Sequence, residues 1–351
     1  LFSKGGSQLP FDVAPLRAMP YTLTPQGTPD DLPAMRAALV ERLRRAKADA
    51  VQDPIADSPL YTLVDGYPDK VDHTRTDTFR DEVRYAEEQK QRLAAARKEK
   101  DGAAALRGIE TSLGDLANVE TGVIIDLFLS YRGAKAWKEM LALVARMPKP
   151  LKATVLVREQ WAFALNRDGQ GEEAETVLRR LIEERGPSSE TYGLLGRVYK
   201  DRWEAALKAG ETVKARGVLT AAIDAYRKGF EADWRDAYPG INAVTLMEIK
   251  EPPDPRRHEL LPVVRYAVER KIAAGTPDYW DFATRVELAV LAKDEAAATE
   301  ALADALANVR EPWEPETTLR NLRLIREARE ARGEAVPFER GIEAELEKAG
   351  T

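Results

Sequence analysis

The 351-residue sequence predicts an all-α protein, a solenoid of stacked helical hairpins preceded by a short α/β remnant or extended segment. Two observations carry that prediction. From Thr76 onward, apolar residues recur at helical spacing in segments divided by short Gly, Pro or Asn/Asp breaks. Paired helices joined by short turns are the signature of an α-solenoid. Within that stretch an aromatic–small–aromatic pattern returns one hairpin later, as set out below.

Residues 1–75 differ in kind. "QLPFDVAPLRAMPYTLTPQGTPDDLP" is rich in Pro and turn formers, with "PYTLT" as a short strand. A helix begins near Asp31: Asp30 or Asp31 caps it, Pro33 fits its first turn, and Met35, Leu39 and Leu43 share a face. The Pro-punctuated "DPIADSPLYTLVDGYPDK" then reads as a connector. The spacing predicts a charged helix from about 76 with an apolar stripe of Phe79, Val83, Ala86 and Leu93, broken at Asp101-Gly102 and resumed to about Leu116. Apolar helices follow at 119–131 and 134–146, and Pro148 and Pro150 end the second because proline lacks the N–H and clashes with the preceding turn. Further helices are expected at 151–167, 172–185, 189–206, 212–231, 237–249, 257–274, 277–292, 294–308, 315–332 and 338–348. The expected division is therefore 1–75, the C-terminal edge of an upstream α/β domain plus linker, and 76–351, the helical domain. The chain begins at Leu1 rather than Met, and its first residues read as the middle of a longer protein.

In a tetratricopeptide unit the first helix (A) carries W-x2-L-G-x2-Y, the second (B) carries A-x3-F, and the period is about 34 residues. Close approach of A and B needs a small residue at the crossing, with large ones filling the groove beside it. Tyr192, Leu195, Gly196 and Tyr199 fit the first pattern. Arg158, Trp161, Ala162 and Leu165 fill the same slots one period earlier (192 − 158 = 34), and Ala174, Leu178 and Leu181 supply that unit's B face. Tyr238, Ile241, Asn242 and Thr245 come 46 residues later (238 − 192 = 46). The excess fits an insertion around "EAALKAGETVKARG" that lengthens the hairpin before Ala222, Tyr226 and Phe230. Tyr279, Phe282, Ala283 and Val286, with Leu302 and Leu306, form a looser fourth copy.

Gly196, Arg197, Tyr199, Lys200 and Asp201, then Tyr226, Gly229, Phe230 and Glu231, then Gly240, Ile241 and Asn242 form a longer signature. It resembles the TRAF-binding central regulatory region of the apoptosis signal-regulating kinases and its bacterial relatives. The likeness covers about residues 80–335, with its specific part in 155–250. The resemblance implies tetratricopeptide-like helix pairs that regulate an attached effector through protein contacts and, from the bacterial relatives, a role in sensing a nucleotide-like ligand. No kinase motif is present, so only the regulatory module carries over. "LPFDVAPLRAMPY" is similar to the C-terminal edge of small α/β domains that precede such arrays in bacteria.

Composition narrows the chemistry. There is no Cys, which removes disulfides, thiolate metal sites and thiol nucleophiles, and only two His, His73 and His258, both in bland settings. With 53 Lys and Arg against 59 Asp and Glu, the net charge is −6 and the signs are interspersed, so no nucleic-acid partner is expected. The longest apolar run, "VIIDLFL" at 123–129, is interrupted by Asp126 and too short to span a bilayer. No membrane is expected, and cytoplasmic is the default location. No phosphate loop, dinucleotide fingerprint or nucleophile elbow occurs, so no catalytic residue, cofactor or metal is assigned.

The candidate ligand- or partner-binding residues are Arg158, Arg197, Lys200, Asp201, Arg235, Tyr238 and Asn242. Arg197, Lys200 and Asp201 share a helix face and read as a phosphate or carboxylate clamp, or else as a solvated ion pair worth about 0.3–0.5 kcal/mol. Asn242 makes a structural hydrogen bond or reaches a ligand, and Trp234 with Arg235 forms a groove wall or part of the core. The preferred expectation is a non-enzymatic scaffold that binds a protein partner, or a nucleotide-like molecule, and controls a fused effector. The alternative is an enzyme with its catalytic α/β domain at or before the N-terminus, the helices serving as lid or oligomerisation platform. A homo-oligomer stays open.

Overall fold

The computed structural model describes residues 2–4, 19–25, 27–52, 76–275 and 277–350, and the chain divides into two compact units, Leu1–Asp81 and Glu82–Thr351. In the first unit β1 (Phe2–Lys4) pairs in parallel with β2 (Met19–Tyr21), Phe2 opposite Met19. The strand expected in "PYTLT" thus sits earlier, and Leu23 forms an isolated antiparallel bridge with Pro29. Helix α1 (Leu32–Gln52) starts where the sequence puts it, with the Asp31 carboxylate accepting from the Ala34 amide at 3.0 Å. The expected connector, His73 within it, and the "LPFDVAPLR" segment lie outside the described residues.

The second unit is an all-α solenoid. It comprises most of α2 (Thr76–Ala96), then α3 (Gly102–Leu113), α4 (Thr121–Gly133), α5 (Trp137–Arg146), α6 (Lys149–Lys152), α7 (Val155–Arg167) and α8 (Gly171–Arg185). It continues with α9 (Ser189–Lys208), α10 (Thr212–Ala232), α11 (Ala237–Ile249), α12 (Arg257–Ala273), α13 (Tyr279–Leu291), α14 (Glu295–Ala307), α15 (Trp313–Ala331) and α16 (Glu339–Gly350). The caps are local chemistry: Asp101, Thr154, Ser188, Asp236, Asp278 and Asp294 each accept a backbone N–H of the helix they precede. Thr154 also explains why the single helix expected over 151–167 is two.

Helices α7/α8, α9/α10, α11/α12, α13/α14 and α15/α16 form five successive antiparallel hairpins. Three apolar cores follow one another along the stack, from Ala86 to Ala164, from Ala162 to Met247 and from Phe230 to Leu346, overlapping at shared helices. Each hairpin thus buries its apolar face against its neighbours. The insertion lengthens α9 and α10 to 20 and 21 residues, against 13 and 15 in α7 and α8.

The crossing glycine is where the repeat places it in the second hairpin. A Cβ on Gly196 would come within 2.6–2.8 Å of the Tyr226 ring. In the third hairpin the register differs from the expectation. The close approach is at Gly240, whose Cβ would meet Val264 at 2.7 Å and Phe230 at 2.8 Å, and not at Asn242. The true spacing is therefore 240 − 196 = 44, which rotates Tyr238 off the inter-helix seam and leaves it 47 % exposed. Trp161 and Tyr192 do pack against the cores, as expected.

Helix α11 is buried at every residue from Pro239 to Glu248. A helix apolar on all sides requires cover on all sides, and here α15 supplies it, packing on α11 and α13 and reaching α9 through Asn321 and Arg320. The concave groove is therefore filled at its middle by the chain's own α15. Behind it Arg329, fully buried, donates to Glu248 (2.9 Å), Glu339 (3.1 Å) and the carbonyls of Val290 (2.9 Å) and Leu291 (3.1 Å). Glu248 also pairs with Arg332 (3.0 Å) and Arg257 (2.9 Å). This charge cluster fastens α11, α12, α13, α15 and α16 together.

Candidate functional site on the inner face

The open part of the inner face is built by α4, α7, α9 and the first turn of α11. Arg132 on α4 and Arg167 on α7 flank the Phe163 ring, their guanidinium carbons 4.7 and 5.2 Å from its centre. One hairpin on, Arg197 on α9 lies 2.9 Å from Asp201, and Asp201 accepts from the Asn166 amide at 2.7 Å, joining α9 to α7. Asn166 stands one 34-residue period before Lys200 (200 − 166 = 34), and Arg167 one before Asp201, so the repeat itself brings these positions together. The half-exposed Tyr238 ring packs on Gly193 and meets Tyr226 edge-on, ring centres 6.2 Å apart. The Tyr226 ring crosses over Gly196, and its electrostatic neighbours are Tyr238, Arg197 and Asp201.

Three expected residues, Arg197, Asp201 and Tyr238, are thus brought to one place, and Lys200 lies behind them. Its side chain is buried and donates to Asn321 on α15 at 3.0 Å; the Asn321 amide faces Glu287 at 3.4 Å, and the Thr245 hydroxyl donates to Glu287. The clamp reading put Lys200 on a ligand-facing surface, whereas α15 covers it. Arg158 is buried and paired with Glu184 on α8, about 12 Å along α7 from Asn166. Arg235 is exposed in the α10–α11 turn and forks onto Asp233 at 2.8 and 2.9 Å. Trp234 is 60 % exposed, so of its two readings it is not part of the core. Asn242 donates to the Tyr238 carbonyl at 2.9 Å, which is the structural hydrogen bond of the two options. Sequence reading missed Asn166, Arg167, Phe163 and the Tyr226 hydroxyl. Subtracting one 34-residue period from the clamp positions 197, 200 and 201 would have found Phe163, Asn166 and Arg167.

The electrostatics follow from burial and from like charges held close. Burial opposes the charge on Arg197, but Asp201 outweighs it and holds the guanidinium above its usual value. Arg167 is lowered by burial and then by Arg197. Burial, followed by Arg197, pulls the Lys200 ammonium down to about 8, and burial pushes the Glu287 carboxyl up. Lysine in the unfolded chain titrates near 10.5, so from pH 8 to 10.5 the unfolded chain binds more protons and stability rises with pH. Glu287 acts in the opposite sense above its usual value of 4.5. Above pH 10 so do Tyr199 and Tyr279, which burial raises to about 12. Urea unfolding at stepped pH is expected to show stability climbing between about 8 and 10, and Lys200→Met is expected to flatten that climb. A slope that survives the substitution would assign it to another group.

Stacked helical hairpins define the class: a tetratricopeptide-like solenoid. The family model described as the MAP3K TRAFs-binding domain matches residues 6–342, and the chain belongs to that family. Mitogen-activated protein kinase kinase kinase nsy-1 of Caenorhabditis elegans is 33 % identical over 220 residues, which is 57 % of this chain and 14 % of the relative. Mitogen-activated protein kinase kinase kinase 15 of Mus musculus is 29 % identical over 234 residues, 63 % of this chain and 17 % of the relative. The chain thus spans less than a fifth of either relative's length. Among solved structures, the human IFIT1 dimer with PPP-AAAA aligns with a TM-score of 0.43 at 13 % identity, over 77 % of this chain and 63 % of that one. No helix among the described residues is long and apolar enough to cross a membrane.

Proposed function

We propose that the array is a non-enzymatic regulatory module that docks a protein partner on the open inner face and controls a fused or associated effector. One observation carries the reading. Arg197, Arg167 and Tyr238 present charge and an aromatic ring on helices whose other faces are locked into the core, so a partner meets a preorganised surface. The family's description supplies the partner to try first, a TRAF protein. A finer version adds a nucleotide-like ligand at the Arg197 end of the cluster.

The test is biolayer interferometry of the full chain against a TRAF protein. Tyr238→Ala and Arg197→Ala are each expected to weaken binding about tenfold, because aromatic and Arg anchors dominate such interfaces. Arg235→Ala, which removes only an exposed local pair, is expected to leave it unchanged. No binding by the unaltered chain would remove the TRAF partner, and binding indifferent to Arg197 and Tyr238 would remove the inner face.

The parallel β1–β2 pair favours a second reading for residues 1–75, since parallel strands belong almost only to α/β sheets. On that reading the segment is the edge of an α/β domain that supplies an enzymatic effector.

A further inference from the structure

Phe163 on α7 is half-buried and holds two cations against its ring. The guanidinium carbon of Arg132 lies 4.7 Å from the ring centre and that of Arg167 5.2 Å. Both arginines are exposed, and among the described residues neither forms an ion pair with a carboxylate. Other arginines on these and facing helices are matched: Arg158 with Glu184, Arg197 with Asp201 and Arg320 with Glu204.

The carboxylates close by are spent elsewhere. Glu139 accepts from Arg107 at 2.6 Å, Asp168 from the Gln170 amide at 2.7 Å, and the buried Glu159 from the Thr191 hydroxyl at 2.6 Å. Glu190 and Asp201 feel Arg132 and Arg167 respectively, from beyond pairing distance. The triad is also held stiff. Buried Gln160 accepts from Arg132 Nη1 at 2.6 Å, tying α4 to α7, and the Trp137 ring meets Phe163 edge-on, ring centres 5.7 Å apart. A guanidinium laid on an aromatic ring uses its face and keeps N–H donors along its edge. Exposed Lys135 and Lys138, close to Trp137 in the chain, add positive charge.

We infer that this triad is the anchor for an acidic segment of a partner protein. Carboxylates of the segment take the edges of Arg132 and Arg167, and an apolar side chain between them covers the open part of the Phe163 ring. Charge complementarity selects this occupant, because carboxylates relieve the repulsion between two cations gathered on one ring. A nucleic acid calls for a basic stripe, whereas this chain has a net charge of −6 and carries Glu190 and Asp201 beside the triad. The inference rests on the inner face being the docking surface and names the chemistry of what docks there. It moves the anchor from Arg197, whose charge Asp201 already meets, to Arg132 and Arg167.

Fluorescence anisotropy of the full chain with a labelled Gly-Glu-Glu-Leu-Glu-Glu-Gly peptide at fixed ionic strength tests it. Saturable binding is expected, with peptides carrying Gln for Glu or Ser for Leu each at least about tenfold weaker. Arg132→Gln and Arg167→Gln are each expected to weaken the acidic peptide about tenfold, the size of a lost charge-assisted hydrogen bond. Arg235→Gln, whose guanidinium is already held by Asp233, is expected to change nothing, which separates a built site from general attraction. Should Arg132→Gln unfold, Arg167→Gln, which gives up no hydrogen bond or ion pair among the described residues, still decides. No saturable binding, equal affinity for the Gln peptide, binding untouched by Arg167→Gln, or equal displacement by a uridine oligonucleotide would each overturn the inference. TRAF binding that needs Arg197 and Tyr238, alongside a silent acidic peptide, would discard this anchor and keep the docking surface. Acidic-peptide binding lost in Arg167→Gln, with no binding of a TRAF protein, would keep the anchor and remove that partner.

Discussion

Arg329→Met is expected to cost about 3–5 kcal/mol, the usual penalty for removing one member of a buried charge cluster. The guanidinium is fully buried and satisfies two carboxylates and two carbonyls at once. Without it, Glu339 keeps only the long contact from the Phe338 amide at 3.3 Å, and the Val290 and Leu291 carbonyls lose a donor. Glu248 is cushioned, because Arg257 and Arg332 still reach it. The loss should therefore fall on the seam between α13, α15 and α16. Because a solenoid unfolds in segments, chemical denaturation is best paired with limited proteolysis, which is expected to open the chain after α14 first. Replacing Glu339 and Arg329 together by apolar residues is expected to recover much of the loss, since a packed apolar pair avoids the desolvation cost of an ion pair. Stability unchanged by Arg329→Met would mean that α15 is held by its apolar face alone.

Gly196→Leu is the other large effect. Even a single Cβ at this position would stand 2.6 Å from the Tyr226 ring, closer than real Cβ contacts come. Overpacking of this kind costs roughly 1–3 kcal/mol, and leucine, with three more carbons, should reach the upper end. Alanine separates two opposing terms, since it gains about 1 kcal/mol of helix propensity over glycine while meeting the same ring. A net loss for Gly196→Ala would show that the clash wins. Combining it with Tyr226→Leu should restore part of the stability, because the two residues touch and their effects are not additive. Additive losses in that double variant would place the strain elsewhere in the α9–α10 hairpin.

Both effects show where legibility ended. Gly196 was readable because the repeat dictates a small residue where helix A crosses helix B, and that contact is local to one hairpin. Arg329 was not readable: its partners lie 81 residues before it and 10 after it in the chain. No periodicity announces that a charged residue on a polar-looking helix will be sealed between layers. Lys200 failed for the same reason. Its helix face looks ligand-facing until α15 returns across it from 121 residues away. Tyr238 is a subtler case. The motif fits on paper, but a spacing of 44 rather than 46 between crossing positions turns the ring outward, and the signal for that register was Gly240, the small residue two positions before Asn242. Asn166 and Arg167 were within reach, because repeat-equivalent positions on neighbouring A helices are spatial neighbours.

By itself the sequence determined the helices, their caps, the hairpin pairing and the family, since each depends on contacts within one hairpin or with the next. The tertiary structure decided which polar residues face water, because that depends on how tightly the solenoid coils. The coil brings α15 over α9 and α11, burying Lys200 and closing the middle of the groove while leaving Arg167, Arg197 and Tyr238 at its open end. Superhelical pitch is the sum of small rotations between hairpins, and no single segment of the chain records that sum.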